Sequence, residues 1–256
     1  MALLYEKRDG IAYVTFNRPE ALNAVDPETY EEFSQAMTDF RDDDALHVAI
    51  VAGTGRAFSA GADIKEMLPL LRSVRNEWWR LPEALVRGLE LWKPVIAAVN
   101  GIAFGAGLEI SLACDIRIAA EDATFGVPEV KLGLIPGWGG TQRLPRSIPA
   151  ARAAELLFFG RSISAWEAYN WGLVNAVVPP DKLMATAEEW ARELLQLPPL
   201  AVRAAKEAMI RGREMSLEDG LRLETKLIDY LFTTEDHLEA AQAFIDKREA
   251  PRPRGR

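Results

Sequence analysis

A single cysteine, Cys114, excludes a disulfide framework and suits a reducing compartment, so a cytoplasmic location is expected. It sits in the apolar stretch 110–118 and reads as a small buried hydrophobe rather than a nucleophile. Only two histidines are present, His47 and His237, far apart and without partners at metal-ligand spacing, so no metal site is expected. No apolar run reaches the length of a membrane span. The first ten residues mix charges with apolar positions and read as a strand, not as a secretory or transit leader. A basic excess is also missing. The net charge of −8 argues against a nucleic-acid partner, whose footprint is a positive field.

What is present is a large apolar fraction, 49% of 256 residues, enough for a sizeable core. Residues 3–16 read as two strands around the turn Arg8-Asp9-Gly10. Asp26 caps a helix that Pro27 opens, with Tyr30, Phe33, Ala36, Met37 and Phe40 on one face. Short apolar runs at 47–52, 95–99 and 115–119 read as buried strands, with a helix at roughly 106–113 between the last two. Strand and helix alternate, which predicts an α/β architecture with strands buried on both faces. From about residue 149 the chain turns mainly helical, with helices at 150–159, 165–171, 181–195, 199–211, 216–232 and 234–247, and one strand at 174–178. No Gly/Ser-rich linker divides it. The expectation is one domain, with an α/β core over 1–198 and a helical C-terminal region over 199–256. Segment 68–92 carries Trp78, Trp79 and Trp92; it reads either as an amphipathic helix packed on the body or as the wall of an apolar pocket.

Four segments could carry chemistry. The small-residue run 57–67 follows a buried strand and can bring a backbone N–H close to a ligand. Segment 100–109, Asn100-Gly101-Ile102-Ala103-Phe104-Gly105-Ala106-Gly107-Leu108-Glu109, leads into a helix whose first N–H groups suit an oxyanion, or simply packs closely on a strand. It lacks the Lys-Ser/Thr ending of a P-loop and the dinucleotide spacing. Glu109 and Glu129 each stand among apolar neighbours, where desolvation raises a carboxyl pKa; they are an acid–base pair or two surface glutamates. Segment 134–144 bends tightly after Pro136 into a helix.

In this order and spacing, the segments resemble the enoyl-CoA hydratase/isomerase superfamily, the crotonase family. The resemblance runs from Asn17-Arg18-Pro19-Glu20-Ala21-Leu22-Asn23-Ala24 to Ala243-Phe244-Ile245-Asp246-Lys247-Arg248. It implies a crotonase (ClpP-like) ββα superhelix with a helical C-terminal trimerisation region, and trimers that pair into hexamers. By the same resemblance, the N–H groups of Ala62 and Ala106 form an oxyanion hole and Glu109 and Glu129 are the catalytic acids. Ala106 stands where the family commonly has glycine. Gly137 would help hold the attacking water or the bound acid. Coenzyme A, arriving as part of the substrate with no separate cofactor, would lie along Ala21, Leu22, Ala60, Asp63, Ile64 and Lys65. Phe244 and Lys247 of a neighbouring subunit would reach its adenine and phosphates. Trp78, Trp79 and Trp138 would shape the acyl pocket. Both acids together favour reversible hydration of a trans-2-enoyl-CoA, as in fatty acid β-oxidation, over isomerisation. A relative working on carnitine-derived, cyclic or aromatic acyl groups is the alternative. An RNA-binding or scaffolding homologue fits the acid pair and the negative charge poorly.

Overall fold

The computed structural model describes residues 1–256. Strands β1 (Leu3–Arg8) and β2 (Ile11–Phe16) form the predicted hairpin, with Asp9 and Gly10 both at positive φ in the turn. Helix α1 (Pro27–Asp42) begins as expected, the Asp26 carboxylate accepting the Thr29 N–H. Thereafter a unit repeats: a long strand, a short strand, then helical structure. The first is β3 (Val48–Gly53), β4 (Ala57–Ser59) and α2 (Ile64–Ser73). The second is β5 (Val95–Val99), β6 (Ile102–Phe104) and α3 (Ala106–Ala113). The third is β7 (Ile116–Ala120), β8 (Thr124–Gly126) and a 3-10 turn, Pro128–Leu132. Helices α4 (Gly140–Ser147) and α5 (Ala150–Phe159), strand β9 (Ser162–Ser164), helix α6 (Ala165–Asn170) and strand β10 (Ala176–Val178) follow. Helices α7 (Leu183–Leu195), α8 (Pro199–Gly212), α9 (Leu217–Leu231) and α10 (Glu235–Ile245) complete the chain.

The long strands build a six-stranded sheet in the order β1-β2-β3-β5-β7-β10, parallel except for the first hairpin. Its central strands β3 and β5 are apolar without interruption because both faces are covered. Ala49, Val51, Ala97 and Val99 face the main core, while Val48, Ile50, Ile96 and Ile118 face a smaller core closed by Leu183, Ala187 and Ala191 of α7. Ile50, Ile96 and Ile118 are each buried to 1% or less. Such a side chain contributes about 1.5–3 kcal/mol relative to exposure. The short strands make a second sheet, β4-β6-β8-β9. Their three-residue length carries too little alternation to be read from sequence. This ββα repetition is the expected superhelix.

Two expectations are corrected. Segment 68–92 is not one amphipathic helix: α2 ends at Ser73, Trp78–Arg80 is a 3-10 turn, and 84–88 is a tight reverse turn with Gly88 at φ 86. Pro82 and Gly88 break the helical pattern. Strand β7 begins at Ile116 and not at Asp115, whose carboxylate accepts from Val95 N–H and Lys206 Nζ. Cys114 is buried as expected, and burial pushes its thiol up to about 12.

Candidate active site

The chain reverses at Leu22 and Asn23, both at positive φ (53° and 56°). Asn23 tolerates this conformation, and its buried side chain fixes the loop. Its Nδ2 donates to the carbonyls of Thr54 (2.9 Å) and Ala57 (2.7 Å), and its Oδ1 accepts the Arg18 N–H (2.8 Å). The loop then runs along the segment after β4: Ala60 N–H donates to Leu22 O, Val25 N–H to Gly61 O, and Asp63 N–H to Val25 O. Asp63 caps α2 and takes Arg18 at 3.4 Å. The fold therefore brings Ala21, Leu22, Ala60, Asp63, Ile64 and Lys65 together. Ile64 is exposed and the Lys65 side chain reaches into solvent.

A second approach puts the Gly61–Ala62 segment against the start of α3. A Cβ on Gly107 would lie 2.2 Å from Ser59 O, so only glycine lets the helix come this close to β4. Ala106 is the first residue of α3, so its N–H has no acceptor within the helix. Neither the Ala106 nor the Ala62 N–H donates to any group of the chain. Two neighbouring loops thus each present a free N–H, one at the positive end of a helix.

Glu109 lies on the first turn of α3, a helix buried all round, and is 2% exposed. Its Oε1 accepts the N–H groups of Trp138 and Gly140, both at 2.7 Å, while Oε2 takes no bond. Burial raises its pKa; the two N–H groups and the charges of Arg143 and Arg87 oppose the rise. Glu129, on the 3-10 turn after β8, reaches the same place. A Cβ on Gly105 (φ 51) would come 3.0 Å from Glu129 Oε1. Its Oε2 is buried without a hydrogen-bond partner. Burial, reinforced by the Glu109 charge, pushes the Glu129 pKa to about 7. Two desolvated carboxyls in different hydrogen-bonding states, beside two free N–H groups, can divide base and acid roles around a polarised carbonyl.

The remaining predicted residues divide. Gly137 does not hold the bound acid; Trp138 and Gly140 do, because the turn after Pro136 aims those two N–H groups inward. The Trp138 ring is buried 5.1 Å from the Tyr30 ring. Trp78 is half-buried with the Arg87 guanidinium 5.2 Å over it, whereas Trp79 is 77% exposed and stands apart from this aromatic pair. Phe244 is 85% exposed, and neither it nor Lys247 makes a hydrogen bond, ion pair or ring contact to the site within one chain. Sequence reading missed Asn23 and Arg143 as fixing residues. The only local signal for either was a polar side chain inside a small-residue or glycine-rich run.

A family profile described as Enoyl-CoA hydratase/isomerase matches residues 6–252. The chain belongs to that family. It is 43% identical over 248 residues to the short-chain-enoyl-CoA hydratase of Clostridium acetobutylicum, covering 96% of this chain and 95% of that protein. It is 41% identical over 256 residues to the (E)-benzylidenesuccinyl-CoA hydratase of Thauera aromatica, covering 100% of both. A crystal structure of enoyl-CoA hydratase from Bacillus anthracis superposes with a TM-score of 0.92 at 40% identity, covering 100% of each chain. Likeness of this extent fixes the crotonase fold of the family member described here.

Proposed function

We propose that this enzyme adds water reversibly across the double bond of a trans-2-enoyl-CoA to give a 3-hydroxyacyl-CoA. The observation that carries the reading is the buried Glu109 and the part-buried Glu129, its Oε2 enclosed, beside the free N–H groups of Ala62 and Ala106. The two N–H groups hydrogen-bond the thioester carbonyl and stabilise the charge that grows on its oxygen. Water attacks the β-carbon and gives a proton to Glu109, whose Oε2 is free while Oε1 is held. The resulting enolate takes a proton at the α-carbon from Glu129, which its raised pKa keeps in part protonated near neutrality. The protons then redistribute through water, returning both acids to their starting states. Gly137 N–H, exposed at the loop, would assist in orienting that water.

Coenzyme A enters as part of the substrate, along Ala21, Leu22, Ala60 and Asp63 to Lys65, where the exposed Lys65 would exchange its 3.4 Å pair with Glu66 for a phosphate. Phe244 and Lys247 would serve a neighbouring subunit. An assembly into trimers through the region after residue 198, the trimers pairing into hexamers, accords with the exposed apolar residues Met209, Leu217, Leu221 and Ile228 on α8 and α9. The buried Trp138–Tyr30 pair and the short-chain relative favour a small acyl group, and the reaction class is that of fatty acid β-oxidation in the cytoplasm. The test is crotonyl-CoA: its conjugated-thioester absorbance should fall on adding enzyme. A band that persists while the ester still binds would overturn hydration.

The acid pair also sets a pH profile. Hydration needs Glu109 ionised and Glu129 protonated, so kcat/KM should rise on the acid side and fall as pH passes through about 7. The two limbs report apparent values of the pair. Initial rates from about pH 5 to about pH 9 check this; a profile that climbs steadily through neutrality would remove Glu129 as the acid.

A further inference from the structure

Arg143, on α4, makes no ion pair, yet both terminal nitrogens of its guanidinium are engaged. Nη1 donates to the Trp138 carbonyl and Nη2 to the Val86 carbonyl, both at 2.9 Å. Trp138 is therefore held at both ends, its carbonyl by Arg143 and its N–H by Glu109 Oε1 at 2.7 Å. Gly139 fits between because it has no side chain: a Cβ there would lie 2.0 Å from Arg143 Nη1, and its φ is 108. Val86 belongs to the buried wall Ala84, Leu85 and Val86, in the reverse turn closed by the mutual Ala84–Arg87 bonds. One planar cation thus spans from that wall to the loop that supplies both donors to the acid. Its fork suits two carbonyls in fixed directions, which an ammonium on a flexible stem does not.

We propose that Arg143 is a positioning residue, setting the 136–140 loop so that Glu109 is gripped at Oε1 and presents Oε2 to the reacting water. This rests on Glu109 as the base. A loop that loses its strap lets the two N–H donors drift, and a carboxylate held loosely samples unproductive directions. Substrate binding, by contrast, uses the loops at 21–22 and 60–65, which Arg143 does not touch. The charged groups around Glu109 are Arg143 from α4, Arg87 from the reverse turn and Glu129 from the 3-10 turn.

The experiment compares Arg143→Gln, Arg143→Lys and Glu109→Gln with the parent enzyme on crotonyl-CoA, with folding followed by circular dichroism. Arg143→Gln should lower kcat about a hundredfold with KM within about threefold, and should move the acid-side limb to higher pH because a cation facing Glu109 is lost. Arg143→Lys should return that limb towards its original position but recover only part of kcat, since charge is restored and the fork is not. A folded Arg143→Gln within about twofold of the parent kcat, beside an inactive Glu109→Gln, would overturn the proposal and leave the base assignment standing. Turnover near the parent rate by a folded Glu109→Gln would overturn the base assignment and this proposal with it. If Arg143→Gln does not fold, Arg143→Lys decides: lowered kcat at unchanged KM supports positioning, and parent-like kcat overturns it.

Discussion

Glu109→Gln is expected to lower kcat for crotonyl-CoA hydration by about a thousandfold with the fold intact. The substitution keeps the shape of the side chain. The amide oxygen can still accept the Trp138 and Gly140 N–H groups that now bond Oε1 at 2.7 Å. What disappears is an oxygen able to take a proton from water, because an amide nitrogen is no base. Since a buried carboxylate is costly to ionise, the melting temperature should hold or rise. Glu129→Gln should fall by a similar factor for the complementary reason, the loss of the proton delivered to the α-carbon. Deuterium incorporation at the α-carbon separates the two roles: Glu129→Gln should stop it, as the donor at that carbon is gone. Turnover near the parent rate in a folded Glu109→Gln would mean that the buried pair is not the acid–base machinery.

Ala106→Pro should cost about 3–4 kcal/mol of transition-state stabilisation, about a hundred- to thousandfold in kcat. Proline is tolerated at the first position of a helix, where the N–H lacks an intrahelical partner in any case. Here that N–H is the free donor at the start of α3. The change therefore removes one hydrogen bond to the developing oxyanion while leaving both acids in place. Affinity for a saturated acyl-CoA should change far less than kcat, because the bond strengthens as charge grows on the oxygen. Ala106→Gly keeps the N–H and isolates the donor from the methyl group. Equal losses in binding and in kcat would mean that Ala106 contributes to ground-state packing alone.

Much of the fold was legible in local chemistry. The Asp26-Pro27 cap, the Ser164–Glu167 capping box and Gly160 at the end of α5 fix helix ends through residues a few positions apart. The apolar runs at 47–52 and 95–99 announced strands covered on both faces, and β3 and β5 with the two cores bear this out. The spacing of Glu109 and Glu129, with the motifs around them, was enough to reveal the family.

The working state of the site was decided elsewhere. Glu109 is gripped at one oxygen only because residues 138 and 140, far along the chain, fold back over α3. Glu129 is raised to about 7 because packing removes water from a carboxyl, one of whose oxygens is left without a partner, beside another acid. Segment 68–92 broke into turns, and three-residue strands formed a second sheet, through contacts that no local pattern carries. Local sequence sets dihedral preferences and apolar stripes within a few residues. Desolvation, unpaired donors and the aim of a carboxylate arise from distant segments brought within a few ångströms, and so belong to the tertiary structure.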